Sequence, residues 1–247
     1  MSARLSLVTI TYNASLTLER TILSVEKQDY PNIEYIIVDS SSTDSTMQIV
    51  SEHSSRVDKC VSEPDNGLYY AMNKGLHMAT GDYIWFLNAG DELPDCDTVS
   101  KMFASGNNAD VYYGDTVMTD IQGNVIGQRR LSPPENLSWE SFKNGMLVSH
   151  QSFVPRLSLC NDYDTQYRFS ADFDWCVSIL RKSKVVVNTH LILSRFLDGG
   201  ITKQNIVPGL KERFRIMTHH YGVVSTIVHH IPIAIKFFYY WITRGRF

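Results

Sequence analysis

The stretch from residue 62 to 93, SEPDNGLYYAMNKGLHMATGDYIWFLNAGDEL, constrains the fold more than any other part of the chain. It reads as loop, helix, tight turn, buried strand and carboxylate-bearing loop. Leu68, Ala71, Met72, Gly75, Leu76 and Ala79 follow the i, i+3, i+4, i+7 series of one buried face, which predicts a helix over 67–79. Asp65 or Asn66 is placed to cap its start, and Gly81 lies just past its end. Tyr83, Ile84, Trp85, Phe86 and Leu87 then form an unbroken apolar run. In a chain that alternates helices and strands, such a run is a central strand covered on both faces. Asn88, Gly90, Asp91 and Glu92 stand at its carboxyl end, where open α/β sheets bind their ligands. A carboxylate beside a glycine suits a metal that holds a phosphate. The competing reading has Asp91 and Glu92 capping the next helix.

The residues before this stretch repeat the alternation. Residues 5–10 are a strand by their apolar, β-branched run, and Thr11, Tyr12 and Asn13 form its carboxyl-end loop. A helix is predicted over 15–28, stopping before Pro31, and a second strand over 33–38 with Asp39 at its end. The run Ser40, Ser41, Ser42, Thr43, Asp44 caps a short helix through Val50, and 57–61 is a weaker third strand. The first hundred or so residues therefore read β-α-β-α-β-α-β, an α/β fold with a mostly parallel sheet. Past Pro94 the pattern changes. Strands are expected at 109–113, 116–119, 125–129, 152–154, 185–187 and 192–196, with helices at 98–104, 139–144 and 172–181. Gln122, Gly123 and Asn124 mark a hairpin turn.

Composition excludes several classes. With 247 residues the chain is long enough for one well-buried domain, and a net charge of -3 argues against nucleic acid as its partner. Cys60, Cys96, Cys160 and Cys176 are far apart, with neither metal-ligand spacing nor a disulfide framework. The first residues run into a strand without a long apolar leader, so the expected setting is reducing and cytoplasmic. The last residues differ from the rest. From Tyr221 on they are rich in apolar and aromatic side chains but interrupted by His229, His230, Pro232 and Lys236, and end in Arg244 and Arg246. Two readings stand: a helix lying on the inner face of the cytoplasmic membrane through 222–247, or a surface that packs on the domain or on a second subunit of a homo-oligomer. The chain divides accordingly into a domain over 1–205 and a helical tail over 206–247.

Five stretches, taken together and in order, resemble family 2 of the glycosyltransferases. They are Val8 to Asn13 (VTITYN), Ile37-Val38-Asp39 with its Ser/Thr loop, Ala79 to Tyr83 (ATGDY), Asn88 to Asp91 (NAGD) and Ser170 to Trp175 (SADFDW). The resemblance runs to about residue 200 and is nearest to bacterial enzymes of colanic acid, capsule and O-antigen synthesis. It implies the GT-A fold, a Rossmann-like, mostly parallel central sheet flanked by helices, with a helical appendage at the C-terminus. It also implies a nucleotide-sugar donor and a glycan or lipid-linked acceptor. By the resemblance, Ile10 through its backbone, Thr11, Tyr12 and Asp39 hold the nucleobase and ribose, and Asp65 and Lys74 line the nucleotide. Asn88 and Ala89, at the start of the family's Asp-x-Asp motif, are also expected to bind the nucleotide. A turn-capping role for Asp39 and a solvated helix position for Lys74 are the alternatives.

The metal motif departs from the family. Asn88 and Gly90 stand where it carries carboxylates, leaving Asp91 as the expected ligand of a divalent cation, Mn²⁺ or Mg²⁺. Asp172 matches the base that opens a late helix, with Ala171 replacing the usual glutamate and Asp174 as runner-up. On the acceptor side the expected residues are Asp115, His150, Gln151 and Gly200. The resulting expectation is an inverting, metal-dependent hexosyltransferase using a UDP-sugar in surface-polysaccharide synthesis. The alternatives are a catalytically degenerate sugar-nucleotide-binding protein and a sugar-nucleotide pyrophosphorylase. The latter would want a Gly-rich, basic loop after the first strand, which Thr11-Tyr12-Asn13 is not.

Overall fold

A computed structural model describes residues 2–199 and 206–231. Gly200 and residues 232–247, on which the acceptor glycine and most of the aromatic tail fall, lie outside the described residues. The first half forms a parallel sheet in the order β3-β2-β1-β4, built from β1 (Leu5–Thr11), β2 (Ile33–Asp39), β3 (Lys59–Ser62) and β4 (Tyr83–Phe86). Between them run α1 (Leu18–Glu26), α2 (Thr46–Glu52) and α3 (Leu68–Met78), and α4 (Thr98–Ala104) follows β4. β1, β2 and β4 are buried at every position, so their near-continuous apolar character reflects cover on both faces.

The period of two divides those side chains between two cores. Val8, Ile10, Ile84 and Phe86 face one core with Ala71, Met72 and Leu76 of α3. Leu5, Leu7, Trp85 and Leu87 face the other with Leu18, Ile22 and Val25 of α1 and Val99 and Met102 of α4. Complete burial of a residue such as Phe86 contributes roughly 1.5–3 kcal/mol, and truncating it to Ala costs about 3–5 kcal/mol. Gly75 marks the closest helix–strand approach, where a Cβ would stand 2.5 Å from Val8 Cγ1. At the opposite end of the sheet, Glu34 is 1% exposed and accepts from Ser6, Thr80 and Lys59. Burial opposes its charge, but Lys59 and the hydroxyl and amide donors outweigh it and hold the carboxyl at about 2.

The second sheet corrects the reading of short strands. The expected pieces at 109–113 and 116–119 are one strand, β5 (Val111–Thr119), and those at 185–187 and 192–196 are one strand, β8 (Val186–Leu197). β5 and β8 pair in parallel along their length, absorbing register shifts between Tyr113 and Thr116 opposite His190, whose φ is 55°. A bulge kinks a strand without ending it, so the sequence shows two runs where the ladder is continuous. β6 (Val125–Gln128) and β7 (Phe153–Pro155) pair antiparallel with β5. The expected helix at 139–144 is a 3₁₀ helix, Trp139–Asn144. Bridges Tyr83–Arg156 and Glu92–Arg195 join the two sheets.

Two more helices complete the described chain. α5 (Ala171–Lys182) buries Phe173, Cys176, Val177 and Leu180. α6 (Ile206–Tyr221) is fixed against the start of α5: Glu212 accepts the amides of Arg168 and Phe169, each at 2.8 Å. Ile216 and Met217 of α6 are buried in the same core as Phe86. Residues 223–231 continue as helix with Val223, Val224, Ile227, Val228 and Ile231 exposed. Among the described residues, no helix is long and apolar enough to cross a membrane.

Candidate active site

Parallel pairing brings the carboxyl ends of β1, β2 and β4 to one edge, and their loops interlock there. Asn13, at φ 46°, donates its amide to Ser42 Oγ at 2.8 Å and accepts the Thr43 amide at 2.8 Å. The Ala14 amide donates to Thr46 Oγ1 at 2.8 Å. Asp39 is fully buried, accepting the Ser42 amide at 2.9 Å and the hydroxyls of Ser42 and Ser62. Those three donors take most of the roughly four acceptor positions of a carboxylate. Asp39 therefore organises its own loop as a cap. The carbonyls of Ile10 and Thr11 are likewise taken, by the Ala89 and Ser40 amides.

Three groups at this edge remain available. Tyr12 is 63% exposed, an aromatic face beside the loop. Thr11 Oγ1 and Asn88 Oδ1 are buried and have no partner among the described residues. Unpartnered buried oxygens are costly, and they mark where a ligand would complete the hydrogen bonding. Asp65 accepts from Ser40 Oγ and from the Gly67 amide, closing the loop ahead of α3. Lys74 is paired with Glu63 at 2.9 Å and donates to the Pro64 carbonyl at 3.2 Å, in a solvent-accessible part of that loop.

Asp91 sits differently from the expected ligand. It is 3% exposed and accepts the Leu197 amide at 3.0 Å. Burial pushes its carboxyl up to about 7, against the pull of the Leu197 amide and Gln151. Asp91 thus ties the end of β4 to the end of β8. Gly90, at φ 101°, lies so close to Leu197 that a Cβ would stand 2.6 Å from Leu197 Cδ2, which leaves no room for the family's carboxylate. Among the described residues no three His, Cys, Asp or Glu side chains are grouped to hold a metal. Asp91 has one oxygen on the Leu197 amide, and a divalent cation held there would draw its remaining ligands from nucleotide phosphates and water.

Asp172 opens α5. Tyr69 of α3 donates to its Oδ1 at 3.1 Å, and the Phe173 amide donates to the same oxygen at 2.9 Å. Oδ2 has no hydrogen-bond donor among the described residues. Burial, and then the Asp172 charge, raise the Tyr69 phenol well above its usual value, so it stays protonated and donates. Asp174, two residues on, is instead bound to His220 of α6 at 2.7 Å. His150 is buried among Phe86, Tyr163 and Trp175, with Nε2 2.7 Å from the Tyr163 hydroxyl. Burial pulls it down to about 4, leaving it neutral. Gln151 is also buried, its carbonyl accepting from Trp85 Nε1 at 2.7 Å. Asp115 is exposed at the β5 bulge. A cavity of about 440 Å³ between α4 and the β5–β8 sheet, lined by Lys101, Ile192 and Arg195 among others, shares none of these residues.

Residues 6–160 match the family model for glycosyl transferase family 2. The chain belongs to that family. The family 2 chain is 26% identical over 215 residues to the PGL/p-HBAD biosynthesis glycosyltransferase of Mycobacterium tuberculosis, covering 82% of this chain and 80% of the relative. It is 34% identical over 188 residues to an uncharacterized glycosyltransferase of Haemophilus influenzae, covering 72% and 74%. The fold is that of S. aureus TarS 1-349, with a TM-score of 0.70 at 14% identity over 98% of this chain and 75% of that one. A TarS 1-349 complex with UDP-GlcNAc superposes at a TM-score of 0.64, with 16% identity over 90% and 69%. The mannosyltransferase PcManGT of Pyrobaculum calidifontis, in complex with GDP-Man and Mn²⁺, superposes at 0.57, with 16% identity over 95% and 76%. These likenesses establish a GT-A α/β fold.

The family's motif positions did not point to Tyr69. Its i, i+3 relation to Met72 on the buried face of α3 was the available signal, and its burial follows from it.

Proposed function

We propose that this family 2 protein is an inverting glycosyltransferase that moves a sugar from a UDP-sugar to a hydroxyl of a glycan or lipid-linked acceptor in bacterial surface-polysaccharide synthesis. The observation that carries the reading is Asp172. One oxygen of its carboxylate is anchored by Tyr69 and the Phe173 amide, and the other lacks a donor among the described residues. A positioned carboxylate of this kind is a general base. Oδ2 takes the proton of the acceptor hydroxyl, the hydroxyl oxygen forms a bond to the anomeric carbon, and the bond from that carbon to the diphosphate oxygen breaks. In-line attack inverts the anomeric centre, and UDP departs with the bonding electron pair. Tyr12 stacks on the base, while Thr11 Oγ1 and Asn88 Oδ1 meet polar groups of the nucleotide. UDP and UDP-GlcNAc in the TarS complexes support a uridine donor.

Asp91 would hold a divalent cation against the diphosphate, and that cation would supply charge compensation for the leaving nucleotide. The exposed apolar row at 223–231, with Arg244 and Arg246 later in the sequence, supports contact with an anionic membrane surface, which would hold the enzyme beside a lipid-linked acceptor. UDP release from a panel of nucleotide sugars, with a bacterial lipid extract as acceptor, tests the reading. Acceptor-dependent release is expected from a UDP-sugar and from no other nucleotide class. Failure to bind UDP at all refutes it.

A further inference from the structure

Residues 87–91, the loop that carries Asp91, form neither helix nor strand. Inside the loop the Asp91 amide donates to the Asn88 carbonyl at 2.9 Å. Much of the remaining support comes from one side of α1. Thr21 Oγ1 accepts the Gly90 amide at 2.9 Å, and Ser24 Oγ accepts the Leu93 amide at 3.1 Å. Arg20 reaches both neighbours of Asp91. Its Nη2 donates to the Gly90 carbonyl at 3.4 Å, and its Nε lies 3.0 Å from Glu92 Oε1. Arg20 and Ser24 are four residues apart and Thr21 and Ser24 three, so α1 presents all three on one side.

Arg20 also reaches a third segment. Its Nη1 donates to the Ile121 carbonyl at 2.6 Å, in the turn between β5 and β6. That turn lies so close that a Cβ on Gly123, at φ 87°, would stand 3.3 Å from both Arg20 Nη1 and Glu92 Oε1. Arg20 Nε and Glu92 Oε1 are buried, and neither makes a hydrogen bond among the described residues, so the contact between them is one of charge. Glu92 is tied to β8 by its backbone, which exchanges bonds with Arg195 at 2.9 and 2.8 Å. One planar guanidinium thus spans the loop and the hairpin, and its rigid fork fixes the spacing of its partners in a way that a single ammonium does not.

We propose that Arg20 is a positioning residue for the donor site: by gripping Gly90 and Glu92 it fixes the Asp91 carboxylate where the donor diphosphate and its divalent cation would meet it. The inference rests on the transferase reading and on Asp91 as the cation's ligand. The physical reason is preorganisation. A cation with a single protein carboxylate binds well only where that carboxylate is already in place, because ordering a loose loop costs entropy on binding. The contacts of Arg20 are to Gly90, Glu92 and Ile121, not to Thr11, Tyr12 or Asp172. Its loss is therefore felt in the cation-dependent part of donor binding.

Calorimetry of UDP with the full-length protein, in Mn²⁺ and in EDTA, tests this. Wild type gains affinity in Mn²⁺. Arg20→Gln reduces that gain by about tenfold, the size of a lost hydrogen bond to a charged group, and leaves affinity in EDTA unchanged. Because Arg20→Gln strands the Glu92 charge, the double variant Arg20→Gln/Glu92→Gln is measured beside it and shows the same reduction. Arg20→Lys keeps a charge beside Glu92 without the fork, and carries the test where circular dichroism shows the glutamine variants to be unfolded. It loses part of the gain, and a full wild-type gain in it overturns the role. A folded double variant that matches wild type overturns the role, as does a loss equal in Mn²⁺ and EDTA, the mark of general damage. Wild type that binds UDP equally in both media overturns it by removing the cation and leaves the transferase reading standing. Wild type that cannot bind UDP at all overturns that reading as well.

Discussion

The Tyr69 hydroxyl donates to Asp172 Oδ1 at 3.1 Å across 103 residues of sequence. It joins the helix that follows the nucleotide-side loop to the helix that carries the proposed base. Tyr69 is itself stacked on Tyr163, with ring centroids 5.6 Å apart, so the donor is held by packing and not by the hydrogen bond alone.

Tyr69→Phe retains that packing and removes the donor. Turnover should fall by about tenfold with UDP affinity unchanged, a loss typical of one hydrogen bond to a charged group. Asp172→Asn should cost about a hundredfold or more, in keeping with loss of a general base. Asp174→Asn should stay within about threefold, because its carboxylate is occupied by His220. Steady-state kinetics with calorimetry of UDP checks all three, and a large loss in Asp174→Asn with an active Asp172→Asn would reassign the base.

Asp91 should behave as a buried strut. Its folded pKa of about 7 lies above the ordinary 3.8, so the native state binds the extra proton between those values. Stability therefore falls as pH rises through that window. Asp91→Asn keeps an acceptor for the Leu197 amide and has nothing to titrate. Urea midpoints from pH 4 to 8 should slope less in the variant than in wild type. UDP affinity should be higher in Mn²⁺ than in EDTA, and the difference should vanish in Asp91→Asn. A Mn²⁺ dependence that survives Asp91→Asn would remove Asp91 from the metal role.

His53 supplies a second pH dependence. It contacts Glu26 at 3.1 Å and Glu19 at 3.6 Å, tying α2 to α1. Glu26 first, aided by Glu19 and opposed by burial, raises its pKa above 6.5. The pairing stabilises fully below 6.5 and is lost as pH rises through the higher folded value. Thermal melts of His53→Gln should differ most from wild type near pH 6 and converge by about pH 9, once the wild-type imidazole is neutral. A constant offset at every pH would mean that the side chain acts through packing.

Truncation after Tyr221 removes the exposed apolar row Val223, Val224, Ile227, Val228 and Ile231 together with the terminal arginines. It should release the protein from anionic vesicles and leave UDP affinity unchanged, since the nucleotide groups lie far earlier in the chain. Vesicle co-sedimentation measures the first and calorimetry the second. If neither form pellets and truncation turns a dimer into a monomer, the tail is a subunit interface.

Sequence alone determined the elements of the first sheet and their order. Residues that alternate with a period of two along β1, β2 and β4, and the helical spacing of Leu68, Ala71, Met72 and Leu76, are local properties. Each states which face a segment buries, and the parallel sheet with ligand loops at its carboxyl edge follows from their alternation. What those loop residues do was decided by tertiary structure. Asp91 carries the same carboxylate wherever it stands, and only the return of β8 brings the Leu197 amide to one of its oxygens. Asp39 and Lys74 sit where the family places nucleotide contacts, yet Ser42, Ser62, Glu63 and Pro64 engage them. Partners, burial and charge balance come from contacts tens to a hundred residues apart, and a local pattern carries no record of them.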